Sequence, residues 1–182
     1  MSQILSHHLV YGTLFDHLNG EELTDTDDER IRQQISVSMI EERGYRREEL
    51  TPRLFIETLF TRNFVRSVID LTVSLDGRQV MILRYGPGSL VSRERSALAA
   101  ARVLNREYII PLAVVTNGRS SLLLDTTTGK VLDDSETAIP SRTKLQLMLP
   151  SLRFLPPQDE DKKTREKRIL NAFDLERCCI GI

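Results

Sequence analysis

The chain has 182 residues, 40% hydrophobic and 28% charged, with a formal net charge of −1, the size of one soluble domain with an ordinary core. No run approaches the roughly 18 consecutive apolar residues of a membrane span, and the opening MSQILSHHLVYG lacks the basic start and apolar run of a secretory signal. Its 2 cysteines, Cys178 and Cys179, are adjacent, which excludes a disulfide framework and makes a reducing cytoplasm the expected location.

Charge is unevenly distributed along the chain. Residues 1–42 carry 2 arginines against 9 acids, a net of −7, and residues 43–119 carry 13 arginines against 7 acids, a net of +6. All 5 lysines lie after residue 129, so the central basic block is purely arginine, a residue suited to bidentate phosphate contacts and to stacking.

In chain order, residues 1–24 read as an acidic lead-in. Thr26-Asp27-Asp28-Glu29 has the form of a capping box, opening the helix DDERIRQQISVSMIEERG, with Ile31, Ile35, Met39 and Ile40 as its apolar stripe and Gly44 as its stop. Pro52 opens a first strand, RLFIETLF. Ile69, Leu71, Val73 and Leu75 then alternate with polar residues, the period of a strand, and Asp76-Gly77 is the preferred dipeptide of a two-residue type I′ hairpin. Such a hairpin places Asp70 opposite Leu83 and Val68 opposite Tyr85. VMILRY is nearly all apolar and is expected to be a central strand buried on both faces. Gly86-Pro87-Gly88 ends it; no G-K-[ST] follows, so it is no phosphate loop. LVSRERSALAAARVLNRE is a helix, and PLAVVT and SSLLLD are strands joined at Asn117-Gly118, a second type I′ signal. DTTTGKVL follows as a looser hairpin. The fold class is α/β, with a mixed central sheet flanked by helices over residues 25–140. Residues 141–182 read as a proline-punctuated linker and a short amphipathic helix with Ile169, Leu170, Phe173 and Leu175 on its face.

These segments together resemble a known family. An αβββαβ order with an aspartate on the first hairpin arm is that of the restriction-endonuclease-like PD-(D/E)XK nuclease superfamily. RIRQQISVSMIEERGYRREEL, VIDLTVSLDGRQVMIL and AARVLNREYIIPLAVVTNGRSSLLLDTTTGKVL are similar to the opening helix, catalytic hairpin and following block of type I restriction enzyme R-subunit N-terminal domains and their free-standing relatives. The resemblance covers roughly residues 27–132. It implies a divalent-metal site made by an aspartate on one hairpin arm and a glutamate on the other, with a lysine two residues later activating the attacking water.

Asp70 matches the aspartate of that pattern. Leu83 stands where the glutamate belongs and Tyr85 where the lysine belongs, while Arg84 points to the opposite face. The Q-x-x-x-Y positions of some relatives fall on Ser96 and Ala100. Among glutamates that could replace the missing one, Glu94 lies well around the helix from Ser96, and Glu29 on the opening helix is better placed. These departures together point to a degenerate, non-catalytic nuclease fold, with no metal or other cofactor expected and Asp70 held by Tyr85 or by a helix arginine such as Arg93. Such a domain would bind nucleic acid or a protein partner, with Arg46, Arg47, Arg66, Arg93 and Arg119 as candidates for phosphate contact. Two alternatives stand beside it: a Mg²⁺- or Mn²⁺-dependent endodeoxyribonuclease with a rearranged site of Asp70 and Glu29, and a structural domain that associates with itself through the C-terminal arm. His7-His8 and Cys178-Cys179 lack the spaced pairs of structural zinc motifs, and the terminal Cys-Ile-Gly-Ile is a poor prenylation signal because Gly181 is not aliphatic.

Overall fold

The structure is a computed structural model that describes residues 9–178; His7, His8 and Cys179, and with them the zinc and prenylation questions, lie outside the described residues. Helix α1 spans Asp27–Glu41. Thr26 caps it, its Oγ1 accepting from the Glu29 N–H at 3.2 Å, and Gly44, at φ 74°, takes the chain out of the helix. Strands β3 (Leu50–Phe60), β4 (Asn63–Leu75) and β5 (Arg78–Tyr85) follow, then α2 (Val91–Val103), β6 (Leu112–Thr116), β7 (Ser121–Asp125) and β8 (Val131–Asp133). The expected αβββαβ order is therefore the observed one. The 6 strands form one sheet in the order β3-β4-β5-β6-β7-β8. β5 and β6 are parallel, joined by the α2 crossover, and the other neighbours are antiparallel.

Each face of the sheet carries its own apolar layer. On one face Leu71, Val73, Leu75, Met81, Leu83, Leu112 and Val114 pack with Met39 of α1 and with Leu145 of α3 (Arg142–Met148). On the other, Ile69, Ile82, Ala113 and Val115 pack under the alanines of α2 and Leu170 of α4 (Glu160–Cys178). Small residues on α2 let its backbone lie close to the sheet, and Ala97, Ala99, Ala100 and Ala101 are fully buried. Val80 to Tyr85 are buried on both faces, as the apolar run of β5 requires.

The acidic lead-in is not featureless. From Val10 it folds as a hairpin, β1 (Val10–Phe15) and β2 (Glu22–Thr26), a two-stranded sheet separate from the main one. Its many acids and few alternating apolar residues hid it; it is held by ion pairs of Arg53 to Asp16 and Glu21 and by Leu18, which is buried in the apolar core. The loop between the strands is tied down by Arg47, whose guanidinium donates to the His17 and Leu18 carbonyls.

Three further expectations need correction. Strand β3 starts at Leu50, before Pro52; proline is tolerated there because β3 is an edge strand. Asp76 and Gly77 form the type I′ turn, at φ 50° and 74°, but Asn117-Gly118 does not. Thr116 pairs with Ser121, which leaves a longer loop in which the Asn117 carboxamide oxygen accepts from the N–H groups of Arg119 and Ser120. Gly118 still matters, for a different reason. It sits at φ +86°, and a Cβ there would lie 2.8 Å from Ile31 Cγ2 of α1. Gly118→Ala is expected to cost about 1–3 kcal/mol, measured from the urea midpoint.

The third correction concerns α4, which lies against α2 and the β3–β4 hairpin and does not extend away as an arm. Of its expected apolar row Leu170 is fully buried, while Phe173 is 39% exposed. Polar anchors do the rest. Glu166 pairs with Arg102 at 2.8 Å, Asn171 donates to Thr58 Oγ1 and to the Asn63 carbonyl at 3.0 Å, and Asp174 receives Arg84. No described helix is long and apolar enough to cross a membrane.

Candidate functional site

The site begins at a crease in the β3–β4 hairpin. Pro52 pairs with Leu71 and Leu54 with Ile69, but the ladder skips Arg53 and Asp70 between them. Arg53 adopts φ +53°, a left-handed conformation that a non-glycine residue holds only when its surroundings demand it. At this point β4 changes layers: Ile69 belongs to the α2 side and Leu71 to the α1 side. Asp70 lies in the fold of the crease.

Strand β5 separates from β4 at the same level. The last pair is Leu71↔Leu83, so Leu83 does not face Asp70 and Tyr85 does not face Val68. A bulge between Val73 and Ser74 shifts the register by one. It is silent in the sequence because the residues of β5 that absorb it are buried whichever way they point. In place of a ladder bond, the Tyr85 N–H donates to Asp70 Oδ2 at 2.7 Å.

The other carboxylate oxygen of Asp70 is held by Arg32, whose Nε approaches Oδ1 at 2.6 Å. Arg32 also reaches Glu29 at 3.4 Å. Gln33, the next residue, bridges Glu29 Oε1 and Asp16 Oδ2 from its carboxamide nitrogen, 2.9 Å from each. Arg53 closes the network, 2.7 Å from Asp16, 3.1 Å from Glu21 and 3.8 Å from Glu29. Glu29, Arg32, Arg53, Arg66, Val68, Asp70 and Asp174 line a cleft of about 340 Å³. The two candidate carboxylates, Asp70 and Glu29, thus share one cleft, with a guanidinium between them.

Electrostatics match this geometry. Burial alone would lower the pKa of Arg32, but the charge of Asp70 and its hydrogen bond outweigh it and hold the guanidinium firmly protonated. Burial would raise the Asp16 carboxyl, yet hydrogen bonds from Gln33, Arg53, Asn19 and Leu18 hold it below the usual carboxylate range. Tyr85 is pushed up to about 12 by burial and by its hydrogen bond to Asp28. Its hydroxyl donates to Asp28 Oδ1 at 2.9 Å, so at neutral pH it is an uncharged donor and supplies neither the cation nor the base of a lysine.

This donor set does not fit a divalent metal ion. Asp70 has one oxygen on a guanidinium and the other on a main-chain N–H, and Glu29 is shared between Gln33 and Arg32. Leu83, fully buried in the apolar layer, supplies no oxygen. Ser96 accepts from Arg84 Nη1 at 3.1 Å, and Ala100 is sealed between α2 and the sheet.

The arginine candidates are dispersed. Arg47 and Arg93 use their guanidinium groups on main-chain carbonyls, Arg93 on Pro87 at 2.6 Å, so Arg93 is not the partner of Asp70. Arg66 pairs with Glu57 at 3.1 Å and lines the Asp70 cleft. Arg46 and Arg119 are exposed, and Arg119 borders a second cleft of about 270 Å³ beside α1. Sequence reasoning missed Arg32, Gln33, Asp16 and Arg53. For Arg32 a signal was available: it lies three residues after Glu29, on the same helix face.

The family model described as type I restriction enzyme R protein N terminus matches residues 27–140. No curated protein and no solved structure matches the chain. The matched stretch runs from the first residue of α1 through both hairpins and the crossover helix, and so contains Glu29, Arg32, Asp70, Leu83 and Tyr85. The chain belongs to the family of type I restriction enzyme R protein N-terminal domains.

Proposed function

We propose that this chain is a non-catalytic PD-(D/E)XK-type domain that holds nucleic acid without cutting it, in the cytoplasm. The observation that carries the reading is the Arg32–Asp70 contact of 2.6 Å: a fixed guanidinium sits against the one carboxylate that matches the family's metal-binding pattern. A permanent cation there satisfies Asp70 without offering an open coordination position or a metal-bound water. The exposed Arg46 and Arg119 supply phosphate contacts, and binding of this kind weakens steeply with salt.

One observation favours a second reading, a divalent-metal endonuclease with a rearranged site. Glu29 and Asp70 line the same cleft, and displacement of Arg32 would leave two carboxylates facing each other. The test is a gel with labelled single-stranded, duplex and forked DNA in Mg²⁺, Mn²⁺ or EDTA. The expected result is a band shift that fades with salt and no cleavage in any metal. Metal-dependent cleavage that disappears in Asp70→Ala establishes the second reading. No shift and no cleavage removes nucleic acid and leaves a protein as the bound partner.

A further inference from the structure

Beyond the crease, the outer half of the β3–β4 hairpin has one face packed on α4 and one face left bare among the described residues. The bare face presents three cross-strand pairs in succession: Phe55↔Val68, Glu57↔Arg66 and Leu59↔Phe64. The four apolar residues are 47%, 38%, 66% and 59% exposed in that order. Large side chains gathered on one uncovered sheet face mark an interaction surface. Glu57 and Arg66 lie between them, about half exposed and 3.1 Å apart, and the Arg66 guanidinium stacks on the Phe55 ring at 3.9 Å.

We propose that this face is covered by the same face of a second copy of the chain. The pairing pattern selects that occupant. Because each pair stands level across the ladder, a twofold axis lying between the strands and parallel to them sets every residue over its partner's counterpart. Phe55 then rests on Val68 of the second copy, Phe64 on its Leu59, and Glu57 on its Arg66. Aromatic meets aliphatic, acid meets base, and the patch carries no net charge to repel its copy. Two twisted sheets stack in this way about 10 Å apart, and an isologous contact of this type closes as a dimer.

The experiment is sedimentation equilibrium of the full chain and of two charge variants. Wild type is expected to form a concentration-dependent dimer. Glu57→Arg and Arg66→Glu each place like charges over one another, and each is expected to weaken the dimer roughly a hundredfold or more. The fold itself survives, because an exposed ion pair contributes little, and circular dichroism checks this. A 1:1 mixture of the two variants restores opposite charges across the interface and is expected to form a heterodimer, and the double swap is expected to dimerise like wild type. A wild-type chain that stays monomeric throughout overturns the proposal. So does a dimer that neither single variant weakens, or a mixture that fails to associate.

Discussion

Asp174→Ala is expected to cost about 3–5 kcal/mol of stability, a fall of roughly 10 °C in Tm for a chain of this size. Arg84 lies within the doubly buried strand β5, and both nitrogen–oxygen contacts to Asp174 are 2.9 Å. The two side chains are only 6% and 7% exposed. Removing the carboxylate leaves a buried guanidinium with little more than the Ser96 hydroxyl and carbonyl to receive it, and an uncompensated buried charge is among the costliest defects a core can carry. Replacing both members, as Arg84→Met with Asp174→Leu, is expected to recover most of the loss, because a buried pair contributes little net stability over apolar packing. Urea denaturation of the single and double variants reads both effects. A single variant within about 1 kcal/mol of wild type would show that α4 is a removable appendage.

Asp16→Ala is the second large expectation, at about 2–4 kcal/mol. The carboxylate is nearly inaccessible and accepts from the N–H groups of Leu18 and Asn19, from Gln33 and from Arg53. Its loss strands those donors at once and loosens the β1–β2 hairpin from α1 and β3. The effect carries a pH signature. Hydrogen bonds overcome the raising effect of burial and hold this carboxyl below its ordinary range, so its contribution is fully present above an unfolded aspartate pKa of about 3.9. It is lost as pH falls through the lower folded value. The stability gap between wild type and Asp16→Ala is therefore expected to be constant near neutrality and to shrink in that acidic window. A gap that does not change down to the acid transition would refute the assignment.

Much of the fold was legible because local signals agreed with the global arrangement. Thr26 caps, Gly44 stops, Asp76-Gly77 turns, and alternation in β4 marks a strand; each is decided within a few residues of itself. What escaped is settled over longer distances. Ile69 and Leu71 are both buried, and alternation alone does not reveal that a crease sends them to opposite layers. Arg84 in VMILRY is a buried charge that needs a partner, but Asp174 lies ninety positions away, and nothing local names it. At the site the resemblance sets Leu83 and Tyr85 where a glutamate and a lysine are expected, and those two identities could be read directly from the sequence. The cation that meets Asp70 could not be read in this way, because Arg32 comes from α1 and not from either arm of the hairpin. Arg32 and Gln33, adjacent on α1, prove to be the hub that joins Asp16, Glu29 and Asp70.

The segregation of charge along the chain acquires a meaning once these contacts are known. Arg53, from the stretch with a net of +6, pairs with Asp16, Glu21 and Glu29 of the stretch with a net of −7, and Arg47 holds the hairpin loop through its carbonyls. During synthesis the acidic segment is made before the arginines that bind it. Its like charges repel, and a two-stranded ribbon on its own is marginal. The β1–β2 hairpin, earlier in the chain than the main sheet, is thus expected to be later in assembly, an N-terminal clasp that closes after the hairpin carrying Arg53 has formed; amide protection during refolding that reaches β1 and β2 no later than β4 would refute this.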